Sequence, residues 1–274
     1  LPLSHSAPDR LMRAWLAVLL LAIGTPAGAA TRVVSLSPSL SEMVVELGAA
    51  DLLVGRLEAG EPLPQLRSVP SVGRYGQLDM ERLISLQPDL LLLWPGSVAA
   101  AQREQLRHLD IPTYTAEPAS LEQLADQVEA LAVALNRPER GRELAAQLRQ
   151  RLAGLRGQYR RDIPLRVFYQ VWDQPLYTVG GTQIISDALA VCGASNVFAD
   201  LKLPAPQVSV ESVLQRNPQV IIASSQAQLD AWKAWPQIDA VKHGRLLLLT
   251  DKGLERPSAQ MLEATARLCE QLAD

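Results

Sequence analysis

RVVSLSPSLSEMVVELGA, residues 32–49, carries three signals in one run. Val33 to Leu36 reads as a short β-branched strand, and Ser37-Pro38 turns the chain. The remainder has the apolar spacing of an amphipathic helix that stops at Gly48. That is a β-α unit, and LDMERLISLQPDLLLLW, residues 78–94, is a second. Asp79 is placed as N-cap, Met80, Leu83, Ile84 and Leu86 share a helical face, and Pro88 ends the helix before a strand from Leu90 to Trp94. The run LLLL is apolar on both faces, as a central parallel strand requires. A helix from Ala99 to Leu109, a strand from Pro112 to Thr115 and a helix from Ser120 to Leu135 complete a first α/β lobe.

The pattern then restarts. Residues 137–161, RPERGRELAAQLRQRLAGLRGQYRR, are charged, rich in Ala and Leu and free of internal Pro, which predicts one long exposed helix. Beyond it come a strand from Leu165 to Trp172, a helix from Thr182 to Val191, the helix SVESVLQRNP and a strand from Val220 to Ala223. A helix through Trp232, a strand from Arg245 to Leu249 and a terminal helix from Ser258 follow. ERLISLQP (81–88) and ESVLQRNP (211–218) share one spacing, each ahead of an apolar strand, and LSEMVVELGA resembles ISDALAVCGA. An internal repeat of about 130 to 145 residues explains both. The expected fold is α/β: two Rossmann-like lobes with mostly parallel central sheets, residues 30–135 and 163–274, joined by one long helix, 136–162. A ligand cleft then lies between them at the carboxyl ends of the strands.

Composition narrows the function. The chain has 274 residues, 26 basic and 29 acidic side chains and a net charge of −3, so it offers no electrostatic footprint for nucleic acid or an anionic membrane. Residues 1–29 have the layout of a secretory signal: Arg10 and Arg13, an apolar run from Ala14 to Gly24, then Ala27-Gly28-Ala29. Export to the periplasm is expected, with translation starting at Leu1 or Met12. Cys192 and Cys269 either form a bridge in such a compartment or are two buried thiols. His108 and His243 are too few for a clustered zinc site, and GxSxG, GxxxxGK[ST] and GxGxxG are all absent. Nothing supports an enzyme, a metal centre or a bound cofactor.

The motifs RVVSLSPSLSEMVVELGA, VGRYGQLDMERLISLQPDLLL, VCGASNVF and APQVSVESVLQRNPQVII resemble those of periplasmic cobalamin (vitamin B12)-binding proteins, over essentially all of residues 31–274. The resemblance implies a monomeric carrier that captures a corrinoid between its lobes and delivers it to an ABC importer permease in the inner membrane, without transforming it. It also implies that Glu81 and Glu211 dock onto the permease, a position that the helix dipole favours by itself, and that Cys192 pairs with Cys269. Tyr75 and the Glu255-Arg256 pair match ligand positions directly. Trp94, Trp172 and the loop Lys252, Gly253, Leu254 join them as candidates on chemistry, since a macrocycle with peripheral amides calls for aromatic faces and a few polar groups. Two family aromatics fall instead near Ala59 and on Ala205. Haem or a ferric siderophore is the alternative cargo, with Tyr75 beside Arg74 as an iron ligand. An exported enzyme of unrecognised type and a structural envelope protein are the alternatives from other classes.

Overall fold

A computed structural model describes residues 30–58, 60 and 63–273. The leader expected in residues 1–29 and the position Ala59 lie outside them. The first half runs β1 (Val33–Ser35), α1 (Pro38–Glu46), β2 (Leu53–Glu58), β3 (Ser71–Arg74), β4 (Gln77–Leu78), α2 (Met80–Ser85), β5 (Leu90–Leu93), α3 (Ala100–Arg107), β6 (Thr113–Thr115) and α4 (Leu121–Ala134). The connector is α5 (Pro138–Gln158). The second half runs β7 (Leu165–Asp173), β8 (Leu176–Thr178), α6 (Ile184–Val191), β9 (Ala194–Asn196), α7 (Val210–Arg216), β10 (Val220–Ala223), α8 (Gln226–Trp232), α9 (Asp239–Lys242), β11 (Leu246–Leu248) and α10 (Gln260–Ala273).

Two sheets result, with strand orders β4-β3-β2-β1-β5-β6 and β11-β10-β7-β8, the latter carrying β9 on β7. Pairing is parallel except at β3–β4 and β7–β8. The orders β2-β1-β5-β6 and β9-β7-β10-β11 are the same, so the sequence repeat is a structural one. Local backbone repeats with it. Gly48 and Gly193 end α1 and α6 at φ of 67° and 65°, while Gln87 and Asn217 end α2 and α7 at 48° and 41°. A side chain on Gly193 would also start 2.2 Å from the Tyr159 carbonyl, so both conformation and space demand glycine there.

Strand alternation divides the apolar residues. Val34, Leu36 and Leu91 bury on the outer face of the first sheet, and Phe168 and Ile221 on that of the second. Val33, Leu90, Leu92, Val167, Val220 and Ile222 face inward, into one core that continues through α4, α5, α6 and α10. The connector is therefore not the exposed helix its composition predicts. Leu144, Ala145, Leu148, Leu152 and Leu155 line a buried stripe along it, and only the opposite face is charged. Its i, i+4 apolar spacing was present in the sequence beneath the arginines. Ile84, expected on the buried face of its helix, is exposed because that short helix presents only Leu83 squarely to the sheet.

Cys192, the residue that closes α6, is bonded to Cys269 of α10, and both are fully buried. The bond closes a separation of 77 residues. Replacing both cysteines by alanine should lower the unfolding free energy by about 4 kcal/mol, on the loop-entropy model. Guanidinium unfolding reads this directly, and a loss under about 1 kcal/mol would show that the shared core already restrains these helices.

Candidate functional site

The parallel strands of each sheet end on one edge, and most of the candidate residues sit there. Trp94 directly follows β5 and is half-buried, stacked over the turn at Gly96. Tyr75, in the turn between β3 and β4, is 73% exposed. Trp172, near the end of β7, is 58% exposed, pairs in register with Tyr177 on β8, and donates its indole N–H to the Gln174 carbonyl. Large aromatics at such exposure are costly to leave in water and are what a flat apolar guest would cover. Ala205 is exposed and supplies no aromatic face.

Residues Lys252–Glu255 form a single 3-10 turn after β11, held from three sides. Asp251 accepts the Gly253 N–H at 2.9 Å and pairs with Arg267 of α10. Gly253 itself rests against α10, where a side chain would begin 2.8 Å from the Ala264 methyl. Leu254 is fully buried in the shared core, so its side chain anchors the turn and does not face a ligand. Lys252 and Glu255 are exposed. Burial, with the Glu255 carboxylate nearby, pushes the Tyr169 phenol of β7 well above its usual range.

Arg256 crosses to the other lobe. Its Nη1 donates to Glu42 Oε1 of α1 at 2.8 Å, and its Nη2 lies 3.9 Å from where a side chain on Gly60 would begin. Glu42 Oε2 accepts from Ser258 at 3.1 Å. One turn on, Glu46 accepts the backbone N–H groups of Ala259 and Gln260 at the start of α10. The reciprocal contact exists: Asp187 of α6 accepts the Leu121 N–H at the start of α4, at 2.8 Å. Each lobe therefore puts an acidic side chain on a helix N-terminus belonging to the other, where it accepts N–H groups that the helix itself leaves unpaired. The sequence reading did not single out these acids. The available signal was a pair of glutamates four residues apart within the apolar helix SLSEMVVEL.

Glu81 and Glu211 are exposed in the first turns of α2 and α7, the equivalent helices of the two repeats. Hydrogen bonds from the Glu211 backbone and the Ser209 side chain hold the Glu211 carboxyl below its usual range. A recess of about 190 Å³ between β7, α7 and α8, walled by Gln170, Leu176, Trp232 and Trp235, is smaller than the roughly 300 Å³ at which small-molecule sites begin. It cannot take a tetrapyrrole. Among the described residues no group of three His, Cys, Asp or Glu could hold a metal ion.

The sequence profile of the periplasmic binding protein family matches residues 33–252. The vitamin B12-binding protein of Vibrio cholerae serotype O1 is 34% identical over 243 residues, covering 88% of this chain and 88% of its own length. Its namesake from Yersinia pestis is 36% identical over 261 residues, covering 94% of this chain and 92% of its own. Among solved structures, the periplasmic vitamin B12 binding protein BtuF of Vibrio cholerae superposes with a TM-score of 0.81 at 34% identity, over 89% of this chain and 97% of that one. The periplasmic heme binding protein HutB of the same organism superposes at 0.75 with 19% identity, covering 89% and 99%, a likeness of fold alone.

Burial, opposed by the Ala259 and Gln260 N–H groups, raises the Glu46 carboxyl from 4.5 to about 7. Between those values the folded protein keeps a proton that the unfolded chain has released, so stability from this group is intact below pH 4.5 and lost as pH rises through 7. Urea unfolding of Glu46→Gln should therefore show a weaker fall in stability across that window than the parent protein. Parallel curves would remove Glu46 as the source of the effect.

Proposed function

This chain belongs to the periplasmic binding protein family, and on that premise we propose that it captures cobalamin between its lobes and delivers it to an ATP-driven importer. The observation that carries the reading is the near full-length match to vitamin B12-binding proteins in both sequence and fold. The cleft chemistry agrees with it. Tyr75 and Trp172 offer exposed aromatic surface on opposite lobes, Trp94 lies behind the first-lobe edge, and Glu255 and Arg256 supply polar contacts for peripheral amides. Covering apolar surface stabilises a complex by about 25 cal/mol per Å², offset by the loss of ligand freedom. A guest that fills the cleft across both lobes is thus favoured over a small one. The protein does no chemistry on its cargo.

Delivery follows from the frame. The units that move are residues 30–135 and 163–274, tied by 136–162 and by a core shared between them. Such a tie keeps closure small, so release requires the permease to spread the lobes by gripping Glu81 and Glu211. The carrier acts as a monomer in the periplasm, exported by the leader in residues 1–29. No helix among the described residues is long and apolar enough to cross a membrane.

Titration with cyanocobalamin by calorimetry should give saturable heat at a one-to-one ratio, and Trp172→Ala should weaken it about tenfold, the cost of truncating an aromatic anchor. A well-folded sample without heat would sink the reading. Should protein purified with its natural cargo instead show a Soret band that disappears in Tyr75→Phe, the cargo is haem. Replacing Glu81 and Glu211 together by alanine should abolish uptake in cells and leave the titration unchanged, and lost binding in that variant would deny them a docking role.

A further inference from the structure

We propose that Glu42 is a positioning residue for the ligand site, holding the Arg256 guanidinium at the cleft from the opposite lobe. This rests on the reading that Arg256 contacts the cargo. Glu42 is only 5% exposed, and both of its oxygens are taken by the second lobe, one by Arg256 and one by the fully buried Ser258. Burial and the Ser258 bond fix the Glu42 carboxyl in place, so it removes the rotamer freedom that a long, partly exposed arginine would otherwise lose when a ligand binds.

The repeat shows that this pairing is not needed to join the lobes. Glu42 in LSEMVVELGA and Asp187 in ISDALAVCGA occupy equivalent positions. Asp187 makes its cross-lobe contact through a backbone N–H. Glu46 does the same for α10, one turn from Glu42. Carboxylate on backbone is thus sufficient as a clasp on both sides. The arginine is the addition, and it exists on one side. Arg256 precedes Pro257 three residues before α10. At the matching place before α4 the chain has Glu117 and Pro118, and Glu117 is exposed. A cation reaching across the lobes at the strand-end edge is what distinguishes the second lobe's clasp from the first, and that edge is where the cargo is read to bind.

The test is a double-mutant cycle in the full-length protein, with Glu42→Gln, Arg256→Gln and both together, read by cyanocobalamin titration. Glu42→Gln should weaken binding about tenfold, and the double variant should bind no worse than Arg256→Gln alone. Asp187→Asn, which disturbs the opposite clasp, should change affinity less than about twofold. Undiminished affinity in Glu42→Gln, or losses that multiply in the double variant, would overturn the proposal. Glu42→Asp, which keeps the charge but withdraws it by one methylene, covers the case in which the glutamine variant does not fold, and it should also weaken binding. Arginine modification by phenylglyoxal in the ligand-free protein reads the position of Arg256 independently. Its rate at Arg256 should rise several-fold in Glu42→Gln relative to the rate at Arg103, and equal rates would reject Glu42 as its anchor. Absence of cobalamin binding by the parent protein, with faster labelling in the variant, would count against the cargo and leave the anchor standing.

Discussion

The molecule depends on an inter-lobe bond made at helix ends. Glu46 sits on the N-terminus of α10 and Asp187 on that of α4, so each lobe completes backbone hydrogen bonding that the other lacks. An intramolecular hydrogen bond contributes about 0.5–1.5 kcal/mol net, and leaving a buried donor unpaired costs about 1–3 kcal/mol. Behind these contacts the inward faces of both sheets share one apolar core with α4, α5, α6 and α10. Two sheets joined only by a linker would be free to swing. A core shared by both and reciprocal caps restrain that motion.

Duplication explains how the arrangement arose from one sequence pattern. An acid on the first helix of each repeat meets the N-terminus of the last helix of the other, from positions one turn apart: Asp187 matches Glu42 in the repeat, and Glu46 makes the contact to α10. The candidate ligand residues lie where the repeats diverge. The first lobe adds β3 and β4, which carry Tyr75 at their turn, and the second adds β8 and the turn Lys252–Glu255 ahead of Arg256. These additions all lie at the edge where strands end, the place at which an α/β sheet leaves room for a ligand.

The elements with long, regular apolar patterns were legible from sequence: β1 with α1, the LLLL strand, α4, the restart at Leu165 and the terminal helix all appear within a residue or two. The disulfide pairing implied by the family resemblance is present as well. What escaped were strands without a clear apolar pattern. In β2 the buried position between Leu53 and Leu57 is Gly55 and the half-buried Val54 is apolar, so the alternation does not show, and β9, Ala194–Asn196, has no β-branched or aromatic residue to mark it. The clasp escaped for another reason. Glu42 reads as an ordinary helix surface acid until Arg256, 214 positions away, is placed beside it. Contacts whose partners are that distant in sequence leave no local trace.

The turn bearing Glu255 and Arg256 shows how a surface loop can be made as rigid as the sheet. Leu254 enters the core, Gly253 lies against α10, and the Asp251–Arg267 pair closes the turn from outside. With Arg256 then held by Glu42, the chain from residue 251 to the start of α10 has an anchor on nearly every residue. A loop with that many restraints has little conformational freedom left to lose, so a ligand that met it would spend little binding energy on ordering it. On the proposed reading, affinity draws on such preorganisation, and a frame this rigid leaves unloading to the importer.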